Sequence, residues 1–127
     1  MHTLRGLLVM FALAASTACG GYSPASPTPT PTTVVPDGST ASVTIPMGAA
    51  SLGDRAYNPG DLTVAVGSTV IWVNTDTVVH TTTSNASGWN SGSIAPNQRF
   101  ATTLQTAGTF AYHCAIHPGM VGTVIVR

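Results

Sequence analysis

Beyond Ser39 the chain is written in short runs that alternate apolar with small polar residues, and each run ends in a turn signal. Val43 and Ile45 alternate with Ser and Thr over residues 41–46, and Leu62, Val64 and Val66 alternate with Thr63 and Ala65. Residues 70–73, Val-Ile-Trp-Val, form a continuous apolar run, expected of a strand covered on both faces or nearly so. A Thr-rich strand is expected at residues 80–84, an alternating one at 99–105 with Phe100, Thr102 and Leu104 on one face, and two more at 109–114 and 122–127. Turns are expected at Asn58-Pro59-Gly60, Gly67-Ser68, Asn74-Thr75-Asp76, Pro96-Asn97 and Ala107-Gly108. About seven short strands with no helical period leave one economical way to bury their apolar faces, sheet against sheet. The expected fold is an all-β sandwich spanning residues 39–127.

The residues before it cannot build a core. Residues 1–18 read as an export signal: Arg5 is the positive end, residues 7–15 are apolar, and Ser16-Thr17-Ala18 is a small-residue cleavage site. The apolar run falls short of the roughly 20 residues needed to span a bilayer. Cys19 follows directly. The segment resembles a bacterial lipoprotein signal, in which that cysteine is lipidated, although Ser16 stands where Leu is usual. Ordinary cleavage would instead leave Cys19 as a free thiol. A Cys19–Cys114 disulfide is discounted, because it would consume a metal donor described below. Residues 19–38 form a disordered linker in which Pro24, Pro27, Pro29, Pro31 and Pro36 alternate with Ser and Thr. At about 3.1 Å per residue it could reach roughly 60 Å, enough to lift a domain off a membrane if Cys19 is anchored.

Charge excludes several function classes. Four Arg and four Asp are the only charged side chains, for a formal net charge of zero. A basic nucleic-acid surface and an acidic tail are both absent from such a chain.

Its chemistry is concentrated near the C-terminus. Cys114, His117 and Met120 fall within seven residues, and His80 lies upstream. One thiolate, two imidazoles and one thioether are the ligand set of a blue-copper electron-transfer site. Strand alternation points Phe110, Tyr112 and Cys114 to one face and His113 to the other, so His113 is read as a surface residue and not a ligand. Met120 offers a soft, uncharged donor suited to a long, weak bond in either copper oxidation state. Structural zinc sites, by contrast, usually take more thiolates and no thioether. Individually each residue has a bland reading: Cys114 as a small buried hydrophobe, His80 as a hydrogen-bonded strand residue, Met120 as core filler. Together, at this spacing, they point to one mononuclear copper. Because so small a domain buries a limited core, the ion should also favour the folded state.

Residues 108–126, Gly-Thr-Phe-Ala-Tyr-His-Cys-Ala-Ile-His-Pro-Gly-Met-Val-Gly-Thr-Val-Ile-Val, resemble the C-terminal hairpin of cupredoxins, the plastocyanin-like blue-copper proteins. The two-residue gaps on either side of His117 are similar to those of amicyanin. Residues 57–74, followed by Asp76 and His80, resemble the family too, and the likeness covers residues 43–126. It implies a Greek-key β-sandwich with His80, Cys114, His117 and Met120 as copper ligands. It also implies an apolar docking patch around the exposed edge of His117, to which Val79, Ile116, Pro118 and Gly119 could contribute. Three departures bear on the site. Thr81 stands where the family often has an Asn that ties the two copper loops together, so the resemblance implies no such Asn tie here. Phe110 stands where a Tyr commonly anchors a crossover through its hydroxyl. Asn97 replaces a frequent Gly, and Asn tolerates a left-handed turn.

The expected function is therefore an exported single-electron carrier, not an enzyme. It would be a monomer of the bacterial periplasm or cell envelope, docking transiently with redox proteins and, if Cys19 is lipidated, attached to the membrane. The alternative is a copper-binding protein for storage or delivery, which Met- or His-rich tails would favour; the linker has neither. A metal-free adhesive sandwich would make the donor spacing a coincidence. Oxidase chemistry needs several His-x-His pairs, and only four histidines exist, one of them His2.

Overall fold

The structure is a computed structural model that describes residues 34–35 and 38–127. The expected signal, Cys19 and most of the linker lie outside the described residues. Strands are β1 (Val34–Val35), β2 (Thr40–Ile45), β3 (Asp61–Val64), β4 (Thr69–Asn74), β5 (Thr83–Ser84), β6 (Arg99–Thr103), β7 (Gly108–His113) and β8 (Val121–Val126). They form two sheets, ordered β1-β3-β8-β7-β5 and β2-β4-β6, as the alternation anticipated. Strands β2 and β4 pair in parallel, as do β3 and β8, whereas β7 and β8 form an antiparallel hairpin. Val34 and Val35, within the stretch read as linker, add a short parallel edge beside Thr63 and Val64.

Three strand expectations need correction. The run at 80–84 is a strand only at Thr83–Ser84; His80 makes an isolated bridge to Ile94 instead. The reason is local, since the side chains of Asn74 and Asp76 hold the preceding segment in an irregular loop. Val66 is not in β3, because the Ala65 carbonyl accepts from Ser68 N–H to close a turn, leaving Val66 exposed. Residues 70–73 are not covered equally on both faces: Val70 and Trp72 are buried, while Ile71 and Val73 are half-buried. Asn97 does take the left-handed conformation expected of it, at φ 64°.

Between the sheets sits an aromatic cluster. Trp72 of β4 is fully buried and packs against Trp89, with ring centroids 5.2 Å apart, and edge-on against Tyr112 of β7 at 5.6 Å. Tyr57 meets Tyr112 edge-on at 4.7 Å. Such rings bury large areas in fixed orientations, which stiffens the sheet that carries the C-terminal loop. Gly122, paired with Tyr112 across the hairpin, makes room for this ring. A Cβ at Gly122 would lie 2.6 Å from both Cζ and Oη of Tyr112. Tyr112 is thereby fixed two residues from Cys114, and the core sits directly beneath the site.

Candidate metal centre

The alternation of β7 continues into the loop that follows it. Tyr112 and Cys114 are buried, Ala111 is exposed, and His113 turns outward, where its Nδ1 lies 2.6 Å from Oδ1 of Asn85. Residues 114–120 then close on themselves: Cys114 N–H donates to the Met120 carbonyl at 3.1 Å, and Met120 N–H donates to that of His117 at 2.9 Å. These two bonds turn the chain within seven residues and carry Met120, fully buried, back beside the strand.

The loop brings its donors to His80. Cys114 Sγ, a buried free thiol, lies 3.7 Å from His117 Nδ1 and 4.0 Å from His80 Nδ1. All three donor atoms fall within 4.8 Å of one another. Metal bonds of about 2.0–2.3 Å to S and N bring two donors of one ion to within about 4 Å of each other, which both sulfur–nitrogen separations satisfy. The two imidazoles differ in their surroundings. His80 is fully buried, whereas His117 is half-buried between exposed Ile116 and exposed Pro118.

Three interactions that sequence spacing did not disclose hold His80 and the thiol in place. First, His80 Nε2 lies 3.0 Å from Oδ2 of Asp76. Burial alone would raise the Asp76 pKa. Hydrogen bonds from His80 and from the backbone of Thr77, Gly48 and Ala49 outweigh that, holding it at about 2 instead of the ordinary 3.8. Second, Tyr57 Oη donates to the Thr81 carbonyl at 2.7 Å; burial keeps its hydroxyl pKa well above the usual range, so it remains a neutral donor.

The third interaction involves Thr81 itself. Its backbone N–H donates to Cys114 Sγ at 3.3 Å, and its Oγ1 accepts from Ala115 N–H at 2.7 Å. The tie between the two loops, which the family often makes with an Asn, is made here by a threonine hydroxyl. Phe110 lacks a hydroxyl, as expected, and packs half-buried against the core near Trp89. The Tyr57–Thr81 bond is a different anchor, placed beneath the His80 loop.

The donor set decides which ion fits. A buried thiol receiving an N–H, two imidazole nitrogens beside it and a buried thioether on the same loop suit a soft metal. Magnesium and calcium call for oxygen donors, which this cluster lacks. His80, Cys114 and His117 form a three-donor cluster, and with Met120 buried on the same loop the residues fit a type 1 copper site.

Comparison with known proteins agrees. The family model described as copper binding proteins, plastocyanin/azurin family, matches residues 42–127. A plastocyanin from Scenedesmus fuscus is 33% identical over 98 residues, covering 67% of this chain and 99% of that protein. An amicyanin from Paracoccus denitrificans is 31% identical over 96 residues, covering 65% and 73% respectively. Among solved structures, a purple cupredoxin from Nitrosopumilus maritimus superposes with TM-score 0.65 at 32% identity, covering 68% of this chain and 99% of that one. Plastocyanins and amicyanins are small electron carriers, not enzymes. With its sandwich, its donor cluster and its matched residues in accord, the chain belongs to the plastocyanin/azurin family of copper-binding proteins.

Proposed function

We propose that this protein is an exported single-electron carrier whose His117 edge is the electron's way in and out. The observation that carries the reading is the asymmetry of the donor cluster: one histidine is fully buried and the other is half-buried at the surface. Bound copper supplies a one-electron couple between its cuprous and cupric states. The chain's part is to hold Nδ1 of both histidines toward the thiol, to keep water from Cys114 and Met120, and to limit rearrangement by packing the loop on the aromatic core. Ile116 is 48% exposed and precedes His117, while Val78 and Val79, at 45% and 37%, precede His80. With Pro118 and Gly119 they give both ligand loops an apolar rim suited to brief docking with a redox protein. Val78 was not among the residues expected there.

Without residues 1–18 the charged side chains are three Arg and four Asp, so docking by so weakly charged a protein should depend little on ionic strength. Stopped-flow electron transfer with a small protein oxidant at rising salt tests this; a steep fall in rate contradicts it. Measuring copper loss to a chelator separates carriage from delivery: slow exchange supports the carrier, and rapid hand-over favours delivery.

Export to a bacterial cell envelope, with cleavage before Cys19, completes the proposal, and the Pro-rich stretch would serve as a stalk for a lipidated Cys19. Mass spectrometry of the mature N-terminus tests both parts. An intact Met1 excludes cleavage, and an unmodified Cys19 excludes the anchor.

A further inference from the structure

We infer that Asp76 is a positioning residue that dictates which nitrogen of His80 faces the metal and biases the bound ion toward its oxidised state. The inference rests on the copper reading above.

A neutral imidazole carries one proton, and only its bare nitrogen can ligate. His80 presents Nδ1 to the thiol side, 4.0 Å from Cys114 Sγ, and Nε2 to Oδ2 of Asp76 at 3.0 Å. The carboxylate takes the Nε2 proton as its hydrogen-bond partner, so Nδ1 is left free for the ion. Asp76 cannot easily swing away. Ala49 N–H donates to the same Oδ2 at 3.1 Å, Thr77 N–H donates to Oδ1 at 2.7 Å, and Asp76 N–H donates to Asn74 Oδ1 at 2.9 Å. Asn74, itself fully buried, spans the loop from within by donating to the carbonyls of Val78 and Ile94.

Both members of the His80–Asp76 pair are buried, at 0% and 5% exposure. In such surroundings a fixed negative charge one imidazole away from the metal is poorly screened. It favours the more highly charged oxidised ion over the reduced one. Among the described residues His117 has no carboxylate partner, so the bias enters through His80 alone.

Asp76→Asn preserves the shape and one carbonyl acceptor but deletes the charge; Asp76→Ala deletes both. Voltammetry of the copper-loaded Asp76→Asn protein should show Cu(II) affinity falling about tenfold relative to Cu(I), a rise in potential of about 59 mV for one electron. An unchanged potential, in a variant that keeps the wild-type thiolate-to-copper band, overturns the electrostatic part. Nitrogen-correlated NMR of the wild-type apo-protein and its Cu(I) form reads the positioning part even if the variants fail to fold. A His80 proton on Nε2, shifted by a hydrogen bond, is expected; a proton on Nδ1 in the Cu(I) form overturns it. Absence of any thiolate-to-copper band in the wild type would sink the copper reading, while the apo-protein spectrum would still judge the Asp76–His80 bond.

Discussion

The two loops that meet at the metal centre are built on opposite plans. The loop between β4 and β5 carries His80 and is braced by side chains: Asn74 and Asp76 from within, and Tyr57 from the core beneath Thr81. The loop between β7 and β8 carries Cys114, His117 and Met120, and it is closed by its own backbone and bordered by exposed residues. Thr81 joins the two, donating to the sulfur through its backbone and accepting from Ala115 through its hydroxyl. The first loop therefore fixes the geometry, and the second presents it to solvent. A carrier needs both, because a rigid site moves little when an electron arrives and a thin outer wall lets the electron through.

Breaking the joint between the loops should have the largest structural effect. Thr81→Val keeps the side chain's shape but leaves Ala115 N–H without its protein acceptor, a loss of about 1–1.5 kcal/mol. Urea unfolding of the apo-protein would record it, and copper affinity should fall in parallel. An unchanged midpoint would mean that the hydroxyl does not tie the loops.

Loosening the braced loop from below should cost less. Tyr57→Phe removes only the hydroxyl that donates to the Thr81 carbonyl, so about 1 kcal/mol is expected from the same unfolding measurement. A loss equal to that of Thr81→Val would show that the core, and not the joint, carries the connection.

Acid sharpens the comparison further. The Asp76 pKa is depressed on folding, from its ordinary 3.8 to about 2. Its contribution to stability is thus complete above about pH 4 and is lost as pH falls toward 2. Apo-protein unfolding followed between pH 5 and 2 should show that loss in the wild type, and a shallower slope in Asp76→Asn. Equal slopes would mean that Asp76 is not held as the geometry implies.

A smaller, direct contrast lies in accessibility. In the apo-protein an imidazole-modifying reagent such as diethyl pyrocarbonate should label half-buried His117 and spare fully buried His80, read by peptide mass. Equal labelling would erase the distinction between a structural and a presenting histidine.

Much of this was visible in the chain itself, and what was hidden has a physical reason. Period-two alternation revealed the sandwich, the inward Cys114 and the outward His113, because a strand's side-chain direction follows from position alone. Spacing revealed the donor set because the Cys114–Met120 loop is too short to separate its members. The end of strand order before Thr83 was not visible, since Thr-rich residues suit a strand equally well when side chains elsewhere hold them in a loop. Asp76 and Thr81 were hidden for a related reason. A four-residue gap implies contact on a helix, but Asp76 and His80 meet in irregular backbone, where spacing implies nothing. The Thr81 hydroxyl reaches Ala115 across 34 positions, a partnership only the fold creates.

The central claim is that Cys114 binds copper as a thiolate between two imidazoles. Adding Cu(II) to the purified protein and recording visible absorption, with Cys114→Ala alongside, tests it directly. An intense thiolate-to-copper band in the wild type, absent from the variant, is the predicted result. A colourless or equally coloured pair would contradict it.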